Sequence, residues 1–184
     1  MKGIVFNLLE EAVIQQFGEE TWERLLDASK LDGVYTSIGS YPDEHLLRLV
    51  EAASAALNLP PNAVVRWFGV SALPLLARKY PTFFEKHQST RPFLLTLNGI
   101  IHPEVRKLYP GADVPDFEFD ISSPDVLVMV YRSKRRLCAF AEGLIEGAAV
   151  QFGETATIGH PQCLHRGDSA CRLEIRFFGR PPQP

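Results

Sequence analysis

No run in this 184-residue sequence reaches the roughly 18 apolar residues that a membrane span requires. No secretory leader is visible either, because Glu10 and Glu11 interrupt MKGIVFNLLEE too early for an apolar leader core. An excess of one charge is missing as well. Nineteen Lys and Arg stand against 22 Asp and Glu, a net charge of -3, which gives no reason to expect nucleic-acid or membrane-surface binding. Cysteine is scarce, with three in the chain, too few for a disulfide framework. Without an export signal they point to a reducing cytoplasm, where thiols serve as buried side chains, metal ligands or redox sensors. Internal repeats and low-complexity segments are absent too. What is present is globular: 46% hydrophobic and 22% charged residues, in a length that suits one domain with a real core.

The first half reads as helical. Apolar residues recur three and four apart over Ile4–Phe17 and Glu20–Ala28, with breaks at Gly18 and Leu31-Asp32-Gly33. DEHLLRLVEAASAAL, Asp43 to Leu57, has an acid at its start and Pro60-Pro61 after its end. A helical run from Asn62 continues to Tyr80, with a kink expected at Pro74. Arg91 to Tyr109 is expected to be one further helix, with Leu94, Leu97, Ile101 and Val105 on a face beside His102. Strand patterns then appear at Phe117–Ile121, Val126–Tyr131, Thr155–Gly159 and Cys171–Phe178, with one helix between the second and third. Helices followed by a small antiparallel sheet with one long helix make the fold class α+β. The expected organisation is a single domain over 1–180, with a helical part over about 1–62 and a helix-and-sheet part over about 63–180; residues 181–184 read as a disordered tail.

Two constellations carry chemistry. Tyr131-x-Ser133-x-Arg135 ends a strand, and residues two apart on extended chain project to one side, so a phenol, a hydroxyl and a guanidinium converge where a carboxylate or phosphate could bind. The alternative is a polar strand edge facing water. The second is His160-x2-Cys163-x7-Cys171 with Cys138 on the neighbouring helix: three thiolates and an imidazole, a closed tetrahedral zinc set of structural type. His165 is a rival ligand with a tighter bite, and three unrelated thiols are the plain alternative. By itself, His102 among apolar residues reads as a core histidine or a metal ligand.

His102, Pro115, Tyr131-x-Ser133-x-Arg135 and the MKG start together resemble the haem nitric oxide/oxygen binding (H-NOX) family, over about residues 1–180. The resemblance implies haem b between the helical and sheet parts, with His102 as proximal iron ligand. Tyr131, Ser133 and Arg135 would hold the propionates, and Pro115 would pack against the porphyrin and distort it. Cys138, His160, Cys163 and Cys171 also match the zinc-containing bacterial subset.

In oxygen-binding members a tyrosine stands five residues past the motif arginine; here that residue is Phe140, which has no hydrogen to donate. Leu8, Leu9, Trp67 and Val70 are expected apolar neighbours, with the Trp67 indole as the one ambiguous donor. The implied ligands are nitric oxide and, in vitro, carbon monoxide, with oxygen excluded. The resemblance further implies that nitric oxide breaks the His102 bond, that the haem relaxes, and that the N-terminal helices move. No kinase, cyclase or DNA-binding segment is evident, so the expected receiver is a separate histidine kinase or cyclic-di-GMP enzyme. A zinc-thiol redox sensor with a secondary haem site is the alternative. A haem enzyme is disfavoured because acid–base groups are lacking near Phe140, and Glu142 and Glu146 are expected on other faces.

Overall fold

In the computed structural model, residues 1–179 are described; the 181–184 tail lies outside them. Chain order gives α1 (Gly3–Phe17), α2 (Glu19–Ser29), α3 (Asp43–Leu57), α4 (Pro61–Lys79), α5 (Thr90–Leu95), α6 (His102–Leu108), β1 (Asp116–Asp120), β2 (Leu127–Arg132), α7 (Cys138–Gln151), β3 (Glu154–Gln162) and β4 (Cys171–Gly179). The helix ends follow local chemistry. Asp43 and Glu44 oppose the positive end of α3, Asn58 closes it in the left-handed region, and Pro61 starts α4 where no N–H donor is needed. No helix among the described residues is long and apolar enough to cross a membrane.

The strands form one antiparallel sheet in the order β1-β2-β4-β3. Leu127, Met129 and Tyr131 sit opposite Ile175, Leu173 and Cys171, so alternation puts all six on the buried face. Two cores result. One packs α1, α3 and α4 around Phe6, Leu49 and Phe68; the other packs α5 and α7 against the sheet around Leu127, Ile145 and Leu173. Helices α4 and α7 contribute to both cores.

These two helices touch backbone to backbone. A Cβ added at Gly143 would lie 2.0 Å from the Arg66 carbonyl oxygen, and one at Gly69 would lie 2.5 Å from that of Phe140. Only glycine permits such an approach.

The expected single helix over Arg91 to Tyr109 is corrected. It is two short helices, α5 and α6, joined by a π-turn over Leu97–Ile101. Pro103 has no N–H for the Gly99 carbonyl and its ring would clash with it; the extra residue of a π-turn relieves both. By contrast, α4 continues through Pro74 to Lys79.

Gly143→Ala is expected to destabilise the protein by about 3 kcal/mol, the upper end of overpacking costs, because backbone rather than a side chain must yield. The urea midpoint of the haem-loaded protein checks this. Gly99→Ala, with nothing within 4 Å of the added Cβ, should leave that midpoint nearly unchanged.

Candidate functional site

Between the two cores lies a cavity of about 540 Å³, within the range of cofactor sites. Helices α1, α4 and α7 supply an apolar wall that includes Ile4, Leu8, Phe68, Phe140 and Leu144. The α5–α6 segment, β1 and β2 supply Leu97, His102, Phe117, Met129 and Tyr131, and Pro115 lines the cavity just before β1. The Phe140 ring packs on Phe68, with centroids 4.8 Å apart.

His102 stacks on Phe117, ring centroids 5.4 Å apart, and neither of its ring nitrogens bonds a described residue. Burial, reinforced by the nearby Arg106 charge and opposed by Asp116, holds its pKa down to about 4. The imidazole is therefore neutral at ordinary pH, with a lone pair available for a metal.

Tyr131, Ser133 and Arg135 all line the cavity, but not by strand alternation. Strand β2 ends at Arg132, and a tight turn follows: Ser133 accepts hydrogen bonds from the Arg135 and Arg136 amides, and Arg136 adopts φ of 52°. The turn, not the pleat, gathers the three groups. Arg135 donates from Nε to Asp43 at 2.7 Å and from Nη1 to the Asp113 carbonyl at 2.8 Å, which fixes the guanidinium. Burial raises the Asp43 carboxyl, but hydrogen bonds from the Met1 nitrogen and Arg135 outweigh it and hold Asp43 below the usual carboxylate range. Burial pushes the Tyr131 phenol up, so it remains a hydrogen-bond donor. A neutral imidazole on an apolar cavity with a phenol, a hydroxyl and a fixed guanidinium fits a planar apolar group carrying carboxylates.

Trp67 is corrected. Its indole Nε1 donates to Gln16 at 2.9 Å and its ring packs on Phe17, so it does not line the cavity and offers no donor there. Leu9 and Val70 are likewise absent from the lining, whereas Leu8 is present. Two cavity residues had no signal in the sequence: Tyr80 and Tyr109, whose hydroxyls bond each other.

A second cluster lies behind α7. Ligand atoms of Cys138, His160, Cys163 and Cys171 all fall within 4.8 Å of one another. The Cys138–Cys163 and Cys171–Cys163 sulfur separations are 3.8 and 4.0 Å. Four bonds of about 2.3 Å in a tetrahedron require sulfurs about 3.8 Å apart, so the spacing suits zinc. Alternation along β3 turns His160 inward with Ala156 and Ile158, and a bulge follows where Pro161 cannot join the ladder. His160 Nδ1 bonds Glu142 at 2.6 Å, and its Nε2 is buried with no partner. That orphaned nitrogen beside three buried thiols is the donor set of a metal site. Burial pushes the Cys138 and Cys171 thiols up, a tendency that a bound cation reverses. His165 stands outside, donating to the Arg136 carbonyl at 2.7 Å. Glu142 and Glu146 do turn away from the cavity, toward Arg66 and His160.

Comparison with known proteins matches residues 2–160 to the family model described as Haem-NO-binding. The chain is similar to the H-NOX protein from S. oneidensis in its Fe(II)NO ligation state, with 34% identity, a TM-score of 0.91, and coverage of 97% of this chain and 100% of that one. An H-NOX from Shewanella woodyi in the Fe(II)CO state is 34% identical with a TM-score of 0.81, covering 99% of this chain and 95% of that one. The Fe(II) unliganded H-NOX protein from K. algicida is 27% identical with a TM-score of 0.86, and both chains are covered in full.

His102→Gly is expected to lose haem retention on purification and to regain it when imidazole is supplied during expression. Haem content is read from the Soret absorbance per chain; full loading without imidazole would show that another residue holds the iron.

Proposed function

We propose, from the premise that the chain belongs to the Haem-NO-binding family, that it is an oxygen-excluding nitric oxide sensor that signals to a separate protein. The observation that carries this reading is the neutral, unbonded His102 imidazole on a cavity whose opposing helices, α1, α4 and α7, contribute apolar side chains. The Fe(II)NO and Fe(II)CO states of the S. oneidensis protein support the same ligand class here.

Haem bound in this cavity supplies a ferrous iron with one position open to a diatomic gas. His102 would hold the iron, and Tyr131, Ser133 and Arg135 would receive the propionates. Pro115, which lines the cavity just before β1, would pack against the ring. Phe140, Leu8 and Phe68 have no hydrogen to donate to the partial negative charge that oxygen would carry when bound, whereas nitric oxide has little need of a donor.

Because His102 opens α6 directly after the π-turn, loss of its hold on the iron would be felt by this segment, which brings Leu97, Ile101 and Val105 to the cavity. The Asp43–Arg135 ion pair links α3 to the propionate corner and so carries the change to the helical part. The chain thus acts as a two-state element biased by its ligand rather than as an enzyme. In this reading residues 1–180 form the sensor domain, the 1–62 part shifts relative to the rest, and the receiver in the cytoplasm is a histidine kinase or a cyclic-di-GMP enzyme.

Cys138, His160, Cys163 and Cys171 are read as a structural zinc site, supported by the sulfur spacing and the orphaned His160 nitrogen. The zinc-thiol redox sensor with a secondary haem site gives way, since the family matched is defined by haem and the cavity is central to the fold.

Purified protein reduced in air is expected to show a Soret band that oxygen leaves in place and nitric oxide shifts. A stable oxygen adduct, or no haem band at all, would overturn the reading. Phe140→Tyr supplies the missing donor and is expected to introduce oxygen affinity, measured by oxygen titration of the same band. Metal analysis is expected to find one zinc per chain, and its absence would contradict the zinc assignment.

A further inference from the structure

Glu142 is a charged side chain only 10% exposed, on the helix that also walls the haem cavity, yet the gas-sensing reading gives it nothing to do. Both of its oxygens are engaged. Oε1 lies 2.6 Å from His160 Nδ1, and Oε2 accepts from Arg66 Nη1 at 2.7 Å. Arg66 in turn grips Glu146 with Nε at 2.9 Å and Nη2 at 2.6 Å. Glu142 and Glu146 are one helical turn apart on α7, and the guanidinium reaches both from α4.

A neutral imidazole has one N–H and one lone pair. A carboxylate only accepts, so Nδ1 must carry the hydrogen and Nε2 must carry the lone pair. Nε2 is the buried nitrogen with no protein partner, beside the three sulfurs. Without Glu142 the imidazole could take the other tautomer or turn its ring, and either change removes the fourth donor from the cluster.

We infer that Glu142 is the positioning residue of the zinc site, fixing the tautomer and ring orientation of His160, and that Arg66 anchors Glu142 from α4. The inference rests on the zinc reading given above. It also separates the two acids: Glu142 acts on the metal through His160, while Glu146 only holds Arg66. A purely structural α4–α7 clamp would make Glu146, which takes two of the three Arg66 bonds, matter at least as much as Glu142.

The test uses the full haem-loaded chain and competition for zinc with a chromophoric chelator. Glu142→Gln is expected to weaken zinc binding by about ten- to a hundredfold, the usual effect of losing an outer carboxylate on a ligating histidine. Glu146→Gln should match the wild type, and both variants should keep their haem content. Equal zinc affinity in Glu142→Gln and wild type, or equal weakening in both variants, would overturn the inference. A wild type that takes up no zinc would instead remove the zinc reading itself. A second measurement needs no variant: nitrogen NMR of the zinc-loaded wild type should show His160 protonated at Nδ1, and protonation at Nε2 would overturn the assignment.

Discussion

The backbone contact between α4 and α7 at Gly69 and Gly143 is the constraint on which the rest of the molecule depends. Two helices brought that close act as one rigid unit, and its two sides serve different chemistry. One side presents Phe68 and Phe140 to the haem cavity. The other presents Cys138 and Glu142 to the thiol cluster. Arg66 locks the pair with three hydrogen bonds to Glu142 and Glu146, in a setting where leaving any one of the three charges alone would be costly.

The opposite wall is built differently. The π-turn and α6 supply Leu97, Ile101 and Val105, half-buried, to the cavity and to the two cores. His102 belongs to this segment. In the proposed sensor, gas selectivity is set on the α4–α7 side, where Phe140 offers no donor, and the response arises on the opposite side, where His102 is attached. Separating the two lets ligand choice stay fixed while the signal moves.

Much of this was legible in the sequence, because the relevant signals are local. Periodicity in DEHLLRLVEAASAAL gives α3, and alternation in CRLEIRFF gives β4. The spacing of His160, Cys163 and Cys171 led to a cluster that the fold does assemble. Other features depended on context. Gly99 and Pro103 both stand against a continuous helix before His102, but the apolar periodicity of the segment masks them, and the π-turn shows only in the fold. Trp67 faces Gln16 rather than the cavity because α4 is apolar nearly all round, so its sequence does not reveal which face meets which core. The bond that Arg66 donates to Glu142 spans 76 positions in the chain, and the one that it donates to Glu146 spans 80, so no local pattern announces either.

The proposed sensor requires nitric oxide to displace His102 from the haem iron, and electron paramagnetic resonance of the ferrous protein with nitric oxide tests it most directly. The unpaired electron couples to each coordinated nitrogen along the axis. If the His102 bond is broken, the nitric oxide nitrogen acts alone and the signal splits into a simple triplet, which is the predicted result. A further splitting of every line by a second nitrogen would mean that His102 remains bound, and would contradict the account.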